Sequence, residues 1–128
     1  MQMVRSTNTM GFMDNLDPEL LTRGVSLRQW GVNEIAWDKA TAQAVAETAR
    51  AGGYEILGGD VWRKDPDGRW VPAYDNWHTR RRPGEDAADY VDRCLIETKM
   101  YIGSYPDPED GTIGYVLVWR DDPLDARW

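Results

Sequence analysis

The chain's one histidine, His78, closes a short stretch that also holds Asp60 and Asp75, "ILGGDVWRKDPDGRWVPAYDNWHT" from Ile56 to Thr79. An imidazole between two carboxylates is raw material for a metal site or for general acid–base chemistry. The spacing organises neither. No HExxH or paired-histidine pattern accompanies the three residues. Four zinc ligands cannot be assembled from them, and no nucleophile is marked beside His78. A minor hydrolase or metal enzyme centred on His78, Asp75 and Asp60 is therefore the weakest reading. The sequence predicts no catalytic residue, no metal and no cofactor.

Other reactive residue types fare similarly. "GYEILGGD" lacks the spacing of a phosphate-binding loop, and the strand continues through its glycines. Gly58 and Gly59 are expected to permit a bulge or the close approach of another backbone. Asp60 is expected to serve the backbone amides there. Cys94 falls within an apolar helical stripe and reads as a buried filler. The run Arg80–Arg82 could grip phosphate, but it lacks the wider basic face of a nucleic-acid binder and reads as a solvated loop.

What remains is aromatic. Seven tryptophans are many for 128 residues. Trp62, Trp70 and Tyr74 fall on one face of a predicted hairpin together with Asp60 and Asn76. Two readings stand side by side. Large rigid aromatics are favoured in recognition surfaces. They could equally form a second core beneath the N-terminal segment.

The elements that must position these residues are marked by local signals. "DPELLTRG" has a cap at Asp17, Pro18 at the first helical position and Gly24 at its end. "SLRQWG" suggests a single turn, Ser26 to Gly31. "WDKATAQAVAETARAGG" predicts a helix capped by Asp38 and ended by Gly52 and Gly53, with Ala40, Ala44, Val45 and Ala49 facing inward. In the hairpin, "DPDG" is a turn with Asp65 opposite Arg69, Pro66 second and Gly68 in the left-handed position. Alternation then places Leu57, Val61, Val71 and Ala73 on the core face. Pro72 assigns the second hairpin strand to an edge.

A long helix is predicted over about 85–104, burying Val91, Cys94, Leu95, Thr98 and Ile102. In "TIGYVLVWR", Ile113, Tyr115, Leu117 and Trp119 take one face and Val116 and Val118 the other, so this strand is covered on both sides. The predicted fold is α+β. It is a small antiparallel sheet of about three strands, in the order second hairpin strand, first, last, packed with two main helices. The predicted organisation is a loose leader over 1–15, one domain over 16–120, and a frayed tail over 121–128 that carries Trp128.

The net charge of −7 disfavours nucleic acid and anionic membranes as partners and favours a basic one. One cysteine excludes an intrachain disulfide and fits a reducing compartment. With no signal-peptide core and no apolar span, the expected location is the cytoplasm.

"GVSLRQWGVNEIAW", "EILGGDVW", "YDNWH" and "DYVDRCLIETKMYIGSY" occur in that order. Together they resemble the bacterial polymorphic-toxin immunity proteins, in the family numbered forty, over about residues 20–119. The resemblance implies a small α+β protein that binds and neutralises the effector domain of a cognate toxin without catalysis or cofactor. A nuclease is one candidate for that toxin, since many are basic. The family-signature positions are Gly58, Gly59, Asp60, Tyr74, Asp75, Asn76 and Trp77, to which Trp62 and Trp70 are added as candidate partner-binding residues. His78 stands where the family pattern suggests an aromatic, and Cys94 near where it suggests a serine. The alternative is a small-ligand or peptide-binding module that uses the aromatic sheet face.

Overall fold

A computed structural model describes residues 12–120. The expected tail over 121–128 lies outside them. Three helices, α1 (Pro18–Thr22), α2 (Lys39–Ala51) and α3 (Ala87–Ser104), accompany five strands. The strands are β1 (Val25–Ser26), β2 (Ile35–Ala36), β3 (Ile56–Lys64), β4 (Trp70–His78) and β5 (Ile113–Trp119). The fold is α+β, with a three-stranded antiparallel sheet in the order β4-β3-β5. The short helix read from DPELLTRG is present as α1, and a separate two-stranded ribbon, β1–β2, adds to the expected architecture.

Capping chemistry explains the helix starts. The Asp38 carboxylate accepts from the Thr41 amide at 2.8 Å, and Asp86 accepts from Ala88 and Asp89 at 3.1 and 3.3 Å. Each satisfies amides that the first turn leaves without partners. The long helix thus begins at Ala87, after its cap, and not at the acidic run before it.

Both helices lie on one face of the sheet. Val91, Cys94, Thr98 and Ile102 of α3 are buried as expected, joined by Tyr90, while Leu95 is half-buried. In α2 the buried set is Thr41, Ala42, Val45, Ala46 and Ala49. Ala40 is exposed and Ala44 half-buried, so the expected stripe was rotated about the helix axis. The reason is that α2 faces both α3 and the sheet, and alanine alone does not mark which side is apolar. The core between the layers includes Val45, Ile56, Val61, Trp77, Tyr115 and Leu117.

The expected leader reaches the described residues only at 12–15, and there it is not loose. Phe12 is 1 % exposed and packs against Trp119 and Tyr54, with ring centroids 4.7 and 5.3 Å away. Burying such a ring contributes about 2–3 kcal/mol, enough to hold a turn of chain.

The opposite face of the sheet carries a second core. Trp62 and Trp70, each 6 % exposed, pack with Leu27, Ala36 and Val116. The β1–β2 ribbon supplies the cover, and it is hooked to the sheet edge. Trp37 and Tyr115 exchange two backbone hydrogen bonds, of 2.9 and 2.7 Å, and the Trp37 indole donates to the Leu20 carbonyl at 3.0 Å. β5 is therefore covered on both faces, as its composition suggested.

Candidate partner-binding surface

The hairpin turn forms as its residues dictate. The Asp65 amide donates to the Arg69 carbonyl at 2.8 Å, and Gly68 takes φ 85°. From there Lys64 pairs with Trp70, Arg63 with Val71 and Trp62 with Pro72. Simple alternation then fails. The next pair is Asp60 with Asn76, so Val61 alone faces Ala73, Tyr74 and Asp75. Pro72, at the start of the bulge, has no N–H to continue the ladder.

Tyr74 takes φ 64° and stands 85 % exposed. A bulky residue in the left-handed region is strained by about 1–3 kcal/mol and is held there only by its surroundings. One constraint is visible: Asp75 accepts a 2.5 Å hydrogen bond from the hydroxyl of Tyr105, at the end of α3. Burial, and then this bond to a carboxylate, push the Tyr105 phenol up to about 12.

Next to Tyr74 is a niche of about 290 Å³, lined by Glu34, Asp60, Pro72, Asp75 and Asn76 among others. Glu34 arrives from the ribbon. Burial, and then the charge of Asp60, raise its carboxyl above the ordinary range. Among the described residues neither acid forms an ion pair, and the Asp60 carboxylate accepts no hydrogen bond from a backbone amide, contrary to expectation. Glu34 also lines a second groove of about 490 Å³, between the ribbon and the outer edge of β5, with Ser26, Arg28 and Val116–Trp119.

The remaining signature residues are internal. Gly58, at φ 144°, would place a Cβ 2.1 Å from the Trp77 carbonyl oxygen, and the ladder with β5 shifts register beside it. Trp77 is 7 % exposed. It stacks on Tyr101 at 4.8 Å and donates from its indole to Thr98 Oγ1 at 3.1 Å. Of the expected core residues, Val61 and Ala73 pack into the helix-side core. Leu57 and Val71 are only half-buried. Leu57 is displaced at the β3–β5 register shift, and Val71 lies near the turn, opposite exposed Arg63.

His78 is exposed at the end of β4, opposite Gly58, and does not line the niche. Cys94 is buried and its thiol is pushed up, chiefly by burial. Among the described residues no group of three or more His, Cys, Asp or Glu side chains is placed to hold a metal ion. No helix among them is long and apolar enough to cross a membrane.

The family model described as Immunity protein 40 matches residues 26–119. The chain belongs to the immunity protein 40 family. No curated protein and no solved structure matches it. The family match spans the ribbon from Ser26 on, both long helices and the whole three-stranded sheet, and all the signature residues lie inside it. It starts after α1, so the resemblance read from residue 20 extends slightly beyond it. Three residues that contact or flank the candidate residues escaped the sequence reading: Glu34, Tyr101 and Tyr105. The tyrosines, four apart, were a detectable pair on one helix side; Glu34 carried no local signal.

Proposed function

We propose that this chain binds the effector domain of a cognate bacterial toxin stoichiometrically and neutralises it without catalysis or cofactor. The observation that carries the reading is the family match over residues 26–119. The docking surface we assign is the bulged edge of β4, with Tyr74 as anchor and Asp60, Asp75 and Asn76 around it. An exposed rigid aromatic beside carboxylates suits a partner that offers Arg or Lys. The net charge of −7 would speed association with a basic toxin, such as a nuclease. The site of action is the cytoplasm of the producing cell.

Trp62 and Trp70 are assigned to support and not to contact, because both are buried beneath the ribbon. The same burial removes the open aromatic platform that a ligand-binding module on this face requires. Gly58, Gly59 and Trp77 likewise shape the strand from within.

The test is a binding titration against the toxin domain encoded beside this gene, at two salt concentrations. Nanomolar affinity that weakens with salt is expected. Absence of binding at micromolar protein would remove the function while leaving the family and fold intact.

A further inference from the structure

β4 and β5 both run antiparallel to the central β3, so their last residues arrive where β3 begins. There the Thr79 amide donates to the Leu57 carbonyl and the Arg120 amide to the Glu55 carbonyl, each at 3.0 Å. Arg80 and Arg81, which follow β4, thereby meet Arg120, which follows β5. The three line one cavity of about 470 Å³ with Glu55, Thr79 and Tyr90.

Among the described residues the charges lining this cavity do not balance. The Glu55 side chain, 4 % exposed, receives Arg120 Nε at 3.1 Å. The Arg80 guanidinium has no hydrogen bond or ion pair among the described residues; only its backbone carbonyl is engaged, by Arg93 at 2.6 Å. Arg81 donates from Nε and Nη2 to the Glu85 backbone carbonyl, at 3.2 and 3.1 Å, a neutral acceptor. The nearby Glu85 carboxylate is committed to Arg93 at 2.7 Å and to the Arg82 amide at 2.9 Å.

The hydroxyls of the cavity are satisfied among themselves. Thr79 Oγ1 donates to the Ile56 carbonyl at 2.6 Å and lies 3.0 Å from the Tyr90 hydroxyl. Among the described residues two guanidinium charges, those of Arg80 and Arg81, therefore meet no carboxylate on this concave surface, in a chain that is acidic overall.

We infer that this niche binds a phosphate-class dianion, either free phosphate or the phosphomonoester group of a small molecule. Guanidinium forks match tetrahedral phosphate oxygens in a bidentate manner, and a dianion balances the excess. A single carboxylate would leave one charge unmatched. The inference does not rest on toxin binding.

The test is a two-dimensional NMR titration of the full chain with inorganic phosphate, against sodium chloride of matched ionic strength, with adenosine monophosphate as a second probe. Saturable shifts are expected at residues 55–57, 79–82, 90 and 120, with affinity falling about tenfold in Arg80→Gln and again in Arg81→Gln. Both side chains are exposed, so the fold is not at issue. Arg69→Gln, at the hairpin turn, should leave the affinity unchanged. Equal saturation by both probes assigns the site to free phosphate; tighter binding of the nucleotide assigns it to a phosphomonoester. Shifts reproduced by chloride, or affinity unchanged in Arg80→Gln, would overturn the proposal.

Discussion

Gly59 lies directly against Trp77: a Cβ on Gly59 would stand 2.3 Å from Trp77 Cη2 and equally close to the Val116 carbonyl oxygen. The indole has no room to retreat, since it is stacked on Tyr101 and bonded to Thr98. Gly59→Ala should therefore cost about 3 kcal/mol, at the upper end of overpacking effects, because one clashing atom is backbone. Urea unfolding of the variant checks this; a loss below about 1 kcal/mol would show that the strands can part.

Thr98 gives the Trp77 indole its hydrogen bond in a buried site. Thr98→Val keeps the shape and removes the acceptor, so it should cost about 1–3 kcal/mol. Thr98→Ser should recover most of that. Denaturant midpoints of the three proteins, with tryptophan fluorescence as the probe, separate the lost bond from lost packing.

Tyr74 permits function and stability to be separated. Asparagine tolerates the left-handed region better than tyrosine. Tyr74→Asn should leave thermal stability unchanged or raise it by about 1 kcal/mol. On the proposed docking surface it should also weaken toxin binding at least tenfold, consistent with loss of an aromatic anchor of about 2 kcal/mol. Calorimetry on the free and toxin-bound protein measures both. A stabilised variant with unchanged affinity would move the docking surface elsewhere.

Glu85 predicts a specific acid response. The Arg93 guanidinium, first by its hydrogen bond, and then the Arg82 amide hold its carboxyl down at about 2. A carboxylate depressed on folding adds stability above its unfolded value of 4.5 and loses it as pH falls toward 2. Melting temperature measured from pH 6 to pH 2 should fall less steeply in Glu85→Gln than in the parent. Parallel curves would show that folding does not depress the Glu85 carboxyl.

Cys94 is buried at the interface of α3 and the sheet, where burial raises its thiol above the usual range. It should resist alkylation by iodoacetamide at neutral pH and react fully in denaturant. Rapid labelling of the folded protein would indicate that α3 opens locally.

Much of this molecule was legible because the relevant signals are local. Asp38 precedes a run of helix formers, DPDG closes a hairpin, and Pro72 cannot sit in a central strand. Each acts through its own backbone or its nearest neighbours, and each did so in the structure. The two apolar faces of β5 follow from strict alternation, which needs no knowledge of what covers them. The order of EILGGDVW and YDNWH carried the family.

Other features depend on contacts that no short stretch encodes. The bulge at Tyr74 is a matter of pairing between strands: Val61 of β3 faces three residues of β4 before the ladder resumes at Asp60 and Asn76. Whether Trp62 and Trp70 face a partner or a core was undecidable from the hairpin, since the covering Leu27 and Ala36 belong to a distant ribbon. Phe12 reads as part of a polar leader until Trp119 and Tyr54 are brought beside it. Arg80, Arg81 and Arg120 are, in sequence, an ordinary loop run and an ordinary residue after the last strand. Antiparallel pairing on both sides of β3 gathers them at one end of the sheet, because strands running the same way finish together.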